Sequence, residues 1–276
     1  MRIALCNEVL RHLPFEVQCA AAAEIGYDAL EVAPFTLGDE PHRLTTYERS
    51  RIRKSLAAAG LAMSGLHMLM QAPAGLSITS AETGTAKLTQ EVGEGLVSLC
   101  AELGGRYLVH GSGQQRHLRA GDEGAGRRRG MAYFEAMAKA SDDSGVTYCV
   151  EALSPDRTNF ITSIKEAIDV VDEIGAPALR TMLDCSHAAR SEPDGIPNLL
   201  RRHVPTGYIV HVHANEANGG GPGNGNLDFN MITKTLMALG YEGTIGVEPF
   251  VYEPDPIRCA EDSVRHLRRC MNATVA

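Results

Sequence analysis

The segment VTYCVEALSPDRTNFITSIKEAIDVVDEIGAPALRTMLDCSH, residues 146–187, has the pattern of a strand, a helix and a second strand in succession. VTYCVEAL and LRTMLDC are short apolar runs, whereas TNFITSIKEAIDVVDEIG has a helical period and ends in a glycine where a C-cap belongs. A strand–helix–strand unit of this kind favours parallel pairing of its two strands. This unit decides the fold because the rest of the chain repeats it.

The repeats are visible as eight strand-like runs: RIALC, DALEVA, LAMSGLHM, RYLVHG, VTYCVEAL, LRTMLDC, GYIVHVHA and GTIGVEPF. Other helical stretches between them include PFEVQCAAAAEIG, YERSRIRKSLAAAG and LDFNMITKTLMALG. Eight units are the number that closes a (β/α)8 barrel, and the GxGxxG fingerprint of an open dinucleotide-binding sheet is missing after the first strand. We therefore predict an α/β fold consisting of a single TIM-barrel domain over residues 1–276.

The composition indicates a small-molecule partner. A formal net charge of −8 repels phosphates, so we expect no nucleic-acid partner. No apolar run approaches the ~18 residues of a membrane span or resembles a signal h-region, so we expect no membrane partner and a cytoplasmic location. The seven cysteines form no CxxC pair, and most are expected to be reduced core residues. Cys185 follows an acidic strand end and has a reactive thiol as its alternative, but a buried small thiol is expected there too.

Two glycine-rich polar segments match no known binding motif. GDEGAGRRRG, residues 121–130, is predicted to be an excursion before the fourth helix, with its three arginines facing solvent. The glycine-rich loop at residues 219–225 lacks the lysine of a P-loop, so we expect a flexible active-site loop rather than a phosphate cradle.

Polar residues at strand ends carry the functional signal, because catalytic groups of TIM barrels lie where strands end and βα loops begin. Glu151, Asp184, His213 and Glu248 end four consecutive strands. Three carboxylates and one imidazole suit a divalent ion such as Mn²⁺, Mg²⁺ or Co²⁺, and three clustered negative charges need a cation. Taken singly, each carboxylate has the alternative of capping a helix or pairing with an arginine. His211, one layer deeper than His213, is expected to be structural.

Three further residues end earlier strands. His67 and His110 follow the third and fourth strands, and for each a substrate contact and a structural role remain open. Glu31 ends the second strand and either orients substrate or pairs locally.

The motifs VEAL…TNFITSIKEAIDVVDEIG, MLDCSH, HVHANEAN…GPGNG.LDF and LGYEGTIGVEPF resemble the xylose isomerase-like TIM barrels and, within them, the D-tagatose/D-allulose 3-epimerase group. The resemblance implies that Glu151, Asp184, His213 and Glu248 bind a divalent ion, Mn²⁺ first, with Mg²⁺, Co²⁺ or Zn²⁺ as alternatives. It also implies that Glu151 and Glu248 serve as acid and base and that His187 contacts a substrate oxygen. Such relatives often form dimers or tetramers, which implies a possible homo-oligomer.

Two positions depart from the epimerase pattern. Six residues after Glu151 the epimerases carry a glutamate, but this chain has Arg157. Six residues after His213 they carry a substrate-binding arginine, but this chain has Gly219. Arg157 is therefore a candidate for binding an anionic substrate group through paired hydrogen bonds, with an outward-facing surface salt bridge as the alternative.

These residues favour a metal-dependent isomerase, either a ketose epimerase or an aldose–ketose isomerase, that acts through an enediolate on a ketose or ketose derivative. The alternative is a lyase, a dehydratase or decarboxylase, that uses the same site on a keto-acid or keto-cyclitol. An AP-endonuclease-like phosphodiesterase would need more histidines and a basic face. A non-catalytic sugar-binding barrel would not need three clustered carboxylates.

Overall fold

Eight parallel strands form a closed barrel in the computed structural model, which describes residues 1–273. The strands are β1 (Arg2–Cys6), β2 (Ala29–Val32), β3 (Ala62–Leu66), β4 (Tyr107–His110), β5 (Thr147–Glu151), β6 (Leu179–Asp184), β7 (Ile209–Ala214) and β8 (Thr244–Val247). Each strand pairs with the next along the chain, and β8 pairs with β1, where Leu5 lies opposite Val247. The predicted TIM barrel and its eight strands are confirmed.

Helices surround the barrel and cover its outer face. They are α1 (Phe15–Ile25), α2 (Thr46–Ala58), α3 (Thr83–Leu103), α4 (Glu123–Ser144), α5 (Ile164–Ile174), α6 (Cys185–Ser191), α7 (Ile196–His203), α8 (Phe229–Ala238) and α9 (Pro256–Asn272). Short 3₁₀ helices occupy loops at Asn7–Leu10, Pro34–Leu37, Pro41–Arg43 and Gln114–Arg116. Gly26 and Gly175 end α1 and α5 in the left-handed conformation, as their C-cap positions predict.

The start of α5 differs from the prediction. Residues 158–163 precede the helix, because the side chain of Ser163 accepts a hydrogen bond from the backbone N–H of Glu166 and so caps the helix at Ile164. Residues 158–163 therefore belong to the loop above the carboxyl end of β5, next to the candidate site.

The glycine- and arginine-rich segment also differs from the prediction. Residues 123–130 form the first turns of α4 rather than an excursion before it. Arg127 and Arg129 form ion pairs with Glu173 and Asp122, whereas Arg128 is exposed. These arginines lie on the surface of a helix, where an ion pair stabilises the folded protein by under ~1 kcal/mol.

The strand side chains alternate between the barrel interior and the layer under the helices. Tyr107, Val109 and Cys149 belong to one buried cluster, and Leu108 belongs to the larger core that the helices cover. Glu151 lies two residues after Cys149 and therefore shares its inward direction. The same alternation brings the last side chains of neighbouring strands together at one end of the barrel.

All seven cysteines are buried, as predicted for core residues. Burial, with the nearby negative charge of Asp184, raises the pKa of the Cys185 thiol well above its usual range, so this thiol is not a ready nucleophile. Among residues 1–273, no helix is long and apolar enough to cross a membrane.

Candidate active site

The four predicted ligands converge at the carboxyl ends of β5 to β8. Glu151, Asp184, His213 and Glu248 are all buried, and one ligand atom from each lies within 4.8 Å of those of the other three. Three carboxylates so close together repel one another unless a cation lies between them. This cluster, which we call the acidic cluster, has the donor set to hold a divalent metal ion.

The acidic cluster opens into a cavity of ≈ 580 Å³. Glu151 and Glu248 line it, together with His187. Amide, charged and apolar side chains also line it, among them Gln71, Gln114, Gln115, Asn218, Asp156, Arg157, Arg190, Met68, Leu153, Phe250 and Val251. A cavity of this size with many hydrogen-bonding groups suits a small hydroxylated ligand.

One ring nitrogen of His213, Nδ1, faces the acidic cluster. Its Nε2 atom lies 2.8 Å from Oε1 of Glu31, which accepts a hydrogen bond. Its Nδ1 atom lies 2.9 Å from Oε2 of Glu248 but makes no aligned hydrogen bond with any described residue. A carboxylate that receives one ring N–H leaves the other ring nitrogen available to a metal. The donor set and this orphaned nitrogen therefore fit a metal ion.

Glu31 lies beneath His213 and pairs locally rather than lining the cavity. It also accepts a hydrogen bond from the Tyr107 hydroxyl (2.8 Å) and lies 3.1 Å from Nε2 of His211. Burial alone would raise the pKa of Glu31, but His211 and His213 hold it well below its usual range. His211 is fully buried and stacks on Tyr107 at 4.0 Å, in agreement with its expected structural role.

His67 contacts the Glu248 carboxylate from the barrel interior rather than from the cavity. Its Nδ1 atom lies 2.9 Å from Oε1 of Glu248, and its Nε2 atom lies 2.9 Å from Oε2 of Glu8. Burial opposes a charged ring, but the two carboxylates outweigh it and raise the pKa of His67 to about 10. Burial also opposes the charge of Glu248, yet His213 and His67 lower its pKa to about 2. His67 does not line the cavity, so the structure supports a positioning role over a substrate contact.

Asp184 is oriented by two hydrogen bonds. Its Oδ1 atom accepts from the backbone N–H of His187 (2.7 Å) and so caps α6, and its Oδ2 atom accepts from the Asn215 amide (2.7 Å). Asn215 is fully buried and in turn accepts from the backbone N–H of Ser186 (2.8 Å). Asn215 is not among the residues predicted for the site, although its place two residues after His213 gives it the same inward direction.

Glu151 lies against the backbone of Gly111. A Cβ atom at position 111 would overlap the Glu151 carboxylate, so a side chain there would displace the carboxylate from its position. Burial raises the pKa of Glu151 well above its usual range, and the charges of Glu248 and Asp184 add to the effect. A bound cation would reverse the effect of these neighbouring charges.

A buried cation supports the loops beside Glu151. Arg116 is fully buried and donates to the carbonyl oxygens of His110 (3.1 Å) and Ile161 (3.2 Å). Burial lowers its pKa to about 10, while the Glu151 charge opposes that change. Ile161 has a φ of 66°, a conformation that is strained for a β-branched residue, and Arg116 binds its carbonyl group.

The structure does not bring His110 to the site. Its Nδ1 atom lies 2.8 Å from the Tyr148 hydroxyl, and its ring packs on Tyr133 and Phe134 in the layer under the helices. Burial and the nearby Arg116 lower its pKa to about 3, so the ring is neutral. The predicted substrate contact of His110 is corrected here, because the residue has the outward direction of Leu108 rather than the inward direction of Val109.

The glycine-rich loop is folded around a buried carboxylate. Glu216 accepts hydrogen bonds from the backbone N–H groups of Gly223 and Leu227, both at 3.0 Å. The Gly219 carbonyl accepts from the backbone N–H groups of Phe250 (2.7 Å) and Val251 (2.9 Å), which joins this loop to the one after β8. The N–H groups of Gly223 and Leu227 thus already have hydrogen-bond partners and are not available to a phosphate. Hydrogen bonds to Glu216 and to the loop after β8 hold the glycine-rich loop in one conformation, which differs from the flexible loop that was expected.

The fold and the acidic cluster define a TIM-barrel protein with a metal-type site at the carboxyl ends of its strands. The chain belongs to the xylose isomerase-like TIM barrel family, whose model matches residues 19–270. It is 27% identical to L-ribulose 3-epimerase of Mesorhizobium japonicum over 238 residues, which are 85% of this chain and 75% of that protein.

A second relative is D-psicose 3-epimerase of Ruminiclostridium cellulolyticum, 30% identical over 123 residues, which are 45% of this chain and 41% of that protein. Among solved structures, 3-keto-D-glucoside 4-epimerase from E. coli has a TM-score of 0.83 at 19% identity, covering 98% of this chain and 100% of that one. Both of these relatives are thus sugar epimerases, and the structural match supports the shared fold.

Proposed function

We propose that the protein is a divalent-metal-dependent sugar isomerase of the ketose 3-epimerase type. The observation that carries this proposal is the acidic cluster, Glu151, Asp184, His213 and Glu248, which opens into a cavity lined by amide side chains. The ketose 3-epimerases among its relatives support the same activity. The substrate is a ketose or a ketose derivative.

The four residues of the acidic cluster would hold the ion. Mn²⁺ is the first choice because the donors are mainly carboxylate oxygens with a single imidazole, and Mg²⁺, Co²⁺ and Zn²⁺ are the alternatives. When bound, the ion would polarise the substrate ketone and lower the energy of the enediolate formed by proton loss at the adjacent carbon.

Glu151 and Glu248 move the proton. They lie on different strands, β5 and β8, and both line the cavity, so they reach a substrate from separate directions. One carboxylate removes the proton next to the ketone, and the other returns a proton to the opposite face, which inverts that carbon. His67 holds Glu248 in place for this step, and His187 contacts a substrate oxygen.

Arg157 is proposed to bind an anionic group of the substrate. It lines the cavity, its side chain is 59% exposed, and its nearest carboxylate partner among the described residues is Asp156, at 3.6 Å. A guanidinium that is only loosely paired can bind a carboxylate or phosphate through two parallel hydrogen bonds. An anionic substrate is also compatible with the alternative function, a lyase that acts on a keto-acid or keto-cyclitol. An enediolate formed at the same site can expel a leaving group, which is the reaction of a lyase.

Solvent deuterium exchange tests the proposal. Metal-loaded protein is incubated in D₂O with free ketoses, sugar phosphates and keto-acids, and the products are followed by NMR, with metal-stripped protein as the control. We expect deuterium at the carbon next to the ketone, metal-dependent, together with an epimer of the substrate. Loss of water or carbon dioxide would instead identify the lyase, and no exchange with any substrate class would contradict both functions.

A further inference from the structure

We infer that Arg190 is a positioning residue that keeps His187 in the neutral tautomer with its proton on Nε2. His187 then offers one hydrogen-bond donor to a substrate oxygen, a role that rests on the proposed function. Arg190 lies three residues after His187 in α6, one helical turn away, and both line the cavity.

The hydrogen bonds at Nδ1 of His187 determine the tautomer. An Nη2 atom of Arg190 lies 2.9 Å from this nitrogen. A guanidinium has donors and no acceptor, so the nitrogen that it contacts must accept. The backbone N–H of Ser154 also donates to the same nitrogen, at 3.2 Å, and the Ser154 hydroxyl lies 2.9 Å from it. Nδ1 therefore carries no proton, and a neutral ring must carry its proton on Nε2.

The Nε2 side of the ring remains for the ligand. Among the described residues, no hydrogen-bond partner of this atom is present, and it is not one of the enclosed unpaired atoms of the core. Because Ser154 and Arg190 occupy the Nδ1 edge, the opposite edge is the one that His187 presents to the cavity. With Nδ1 occupied by groups that can only donate, the ring cannot carry a second proton on that nitrogen and is neutral.

Arg190 is itself held in place by two further contacts. Its Nε atom donates to the Ser186 carbonyl (3.3 Å), and its Nη1 atom lies 3.3 Å from Oδ2 of Asp156. Its side chain is 32% exposed, so substitutions do not open a cavity in the core. Helix α6 thus combines three roles: Asp184 caps its N-terminus, His187 lies in its first turn, and Arg190 in its last turn contacts the His187 ring.

Nitrogen NMR of ¹⁵N-histidine-labelled protein tests the inference, with His187 assigned by comparison with His187→Gln. Wild type and Glu242→Gln, a control at an exposed position that contacts neither residue, are expected to show a proton on Nε2 alone. Arg190→Met is expected to show a smaller fraction of the Nε2–H form, because only the longer Ser154 N–H contact then remains at Nδ1, and Arg190→Lys, which keeps a cationic donor, to restore part of that fraction. A proton on Nδ1 in wild type, or an unchanged tautomer in Arg190→Met, would overturn the inference.

The kinetic consequence separates this inference from the proposed function. Arg190→Met should lower kcat for α-proton exchange about tenfold, the effect of one weakened transition-state hydrogen bond, with metal content unchanged. An unchanged kcat would contradict the positioning role. If wild type exchanges no substrate proton, the proposed function fails, while the NMR result still decides whether Arg190 sets the tautomer.

Discussion

Glu31 accepts a hydrogen bond from Nε2 of His213 at 2.8 Å, inside the barrel and beneath the acidic cluster. Glu31 belongs to β2 and His213 to β7, so the closed barrel is what brings them together. This contact places a ring proton on Nε2, so Nδ1, which faces Glu248 at 2.9 Å, is the nitrogen that would bind a metal ion. The orientation of a proposed metal ligand thus depends on a residue that does not line the cavity.

The first prediction concerns this support. Glu31→Gln should lower metal affinity 10–100-fold, the usual effect of losing the carboxylate behind a metal-binding histidine. The amide can present an N–H to Nε2 and so favour the wrong tautomer of His213. Titration calorimetry with Mn²⁺ measures the affinity, and Glu242→Gln, an exposed position, is the control. Equal affinities in the two variants would rule out this role of Glu31.

The second prediction concerns proton transfer. Glu151→Gln and Glu248→Gln should each reduce α-proton exchange by at least ~10²-fold, because an amide cannot act as acid or base. Metal content must be measured in the same samples, since each residue is also a proposed ligand. Retained exchange at normal metal occupancy in either variant would refute the assignment of that residue.

The third prediction concerns the substrate. Arg157→Ala should raise KM for an anionic ketose derivative by about tenfold or more, because a charged hydrogen bond contributes about 1.5–3 kcal/mol, and should leave KM for a neutral ketose almost unchanged. Lys165→Ala, at an exposed helical position, serves as a charge-matched control. An equal change of KM for both substrates would show that Arg157 does not bind an anionic group and would favour a neutral, free ketose as the substrate.

The sequence made the barrel and its acidic cluster predictable for one physical reason. Parallel strands place their carboxyl ends at the same end of the barrel, so strand-terminal residues such as Glu151 and Glu248 had to meet. Strand alternation favours the structural one of the two roles that the sequence left open for His110. Val109 points inward with Tyr107, and His110 must therefore point to the helices.

The supporting contacts were not predictable, because each joins residues far apart in sequence. Asn215 reaches Asp184 from another strand, and Glu31 reaches His213 only through barrel closure. Glu216 stood inside the quoted glycine-loop motif, but only the folded loop shows that its carboxylate is buried and receives backbone N–H groups. Pairwise geometry of this kind has no signature in composition or periodicity.

The fourth prediction follows from Glu216. Glu216→Ala should lower the free energy of unfolding by about 2–4 kcal/mol, because two charge-assisted hydrogen bonds to the loop backbone are lost and the N–H groups of Gly223 and Leu227 lose their partners. Urea unfolding measures the change, with Glu242→Ala as the exposed control. A difference within about 0.5 kcal/mol of that control would show that the carboxylate does not hold the loop.

The central claim is that the acidic cluster binds a metal ion, and a diffraction experiment on Mn²⁺-soaked crystals tests it most directly. We predict anomalous density for a single ion bonded to Glu151, Asp184, Nδ1 of His213 and Glu248. We also predict that Asp184→Ala crystals lack this density, whereas Asp156→Asn crystals keep it. An ion bound elsewhere, side chains of the acidic cluster directed away from it, or an undiminished peak in Asp184→Ala would contradict the account.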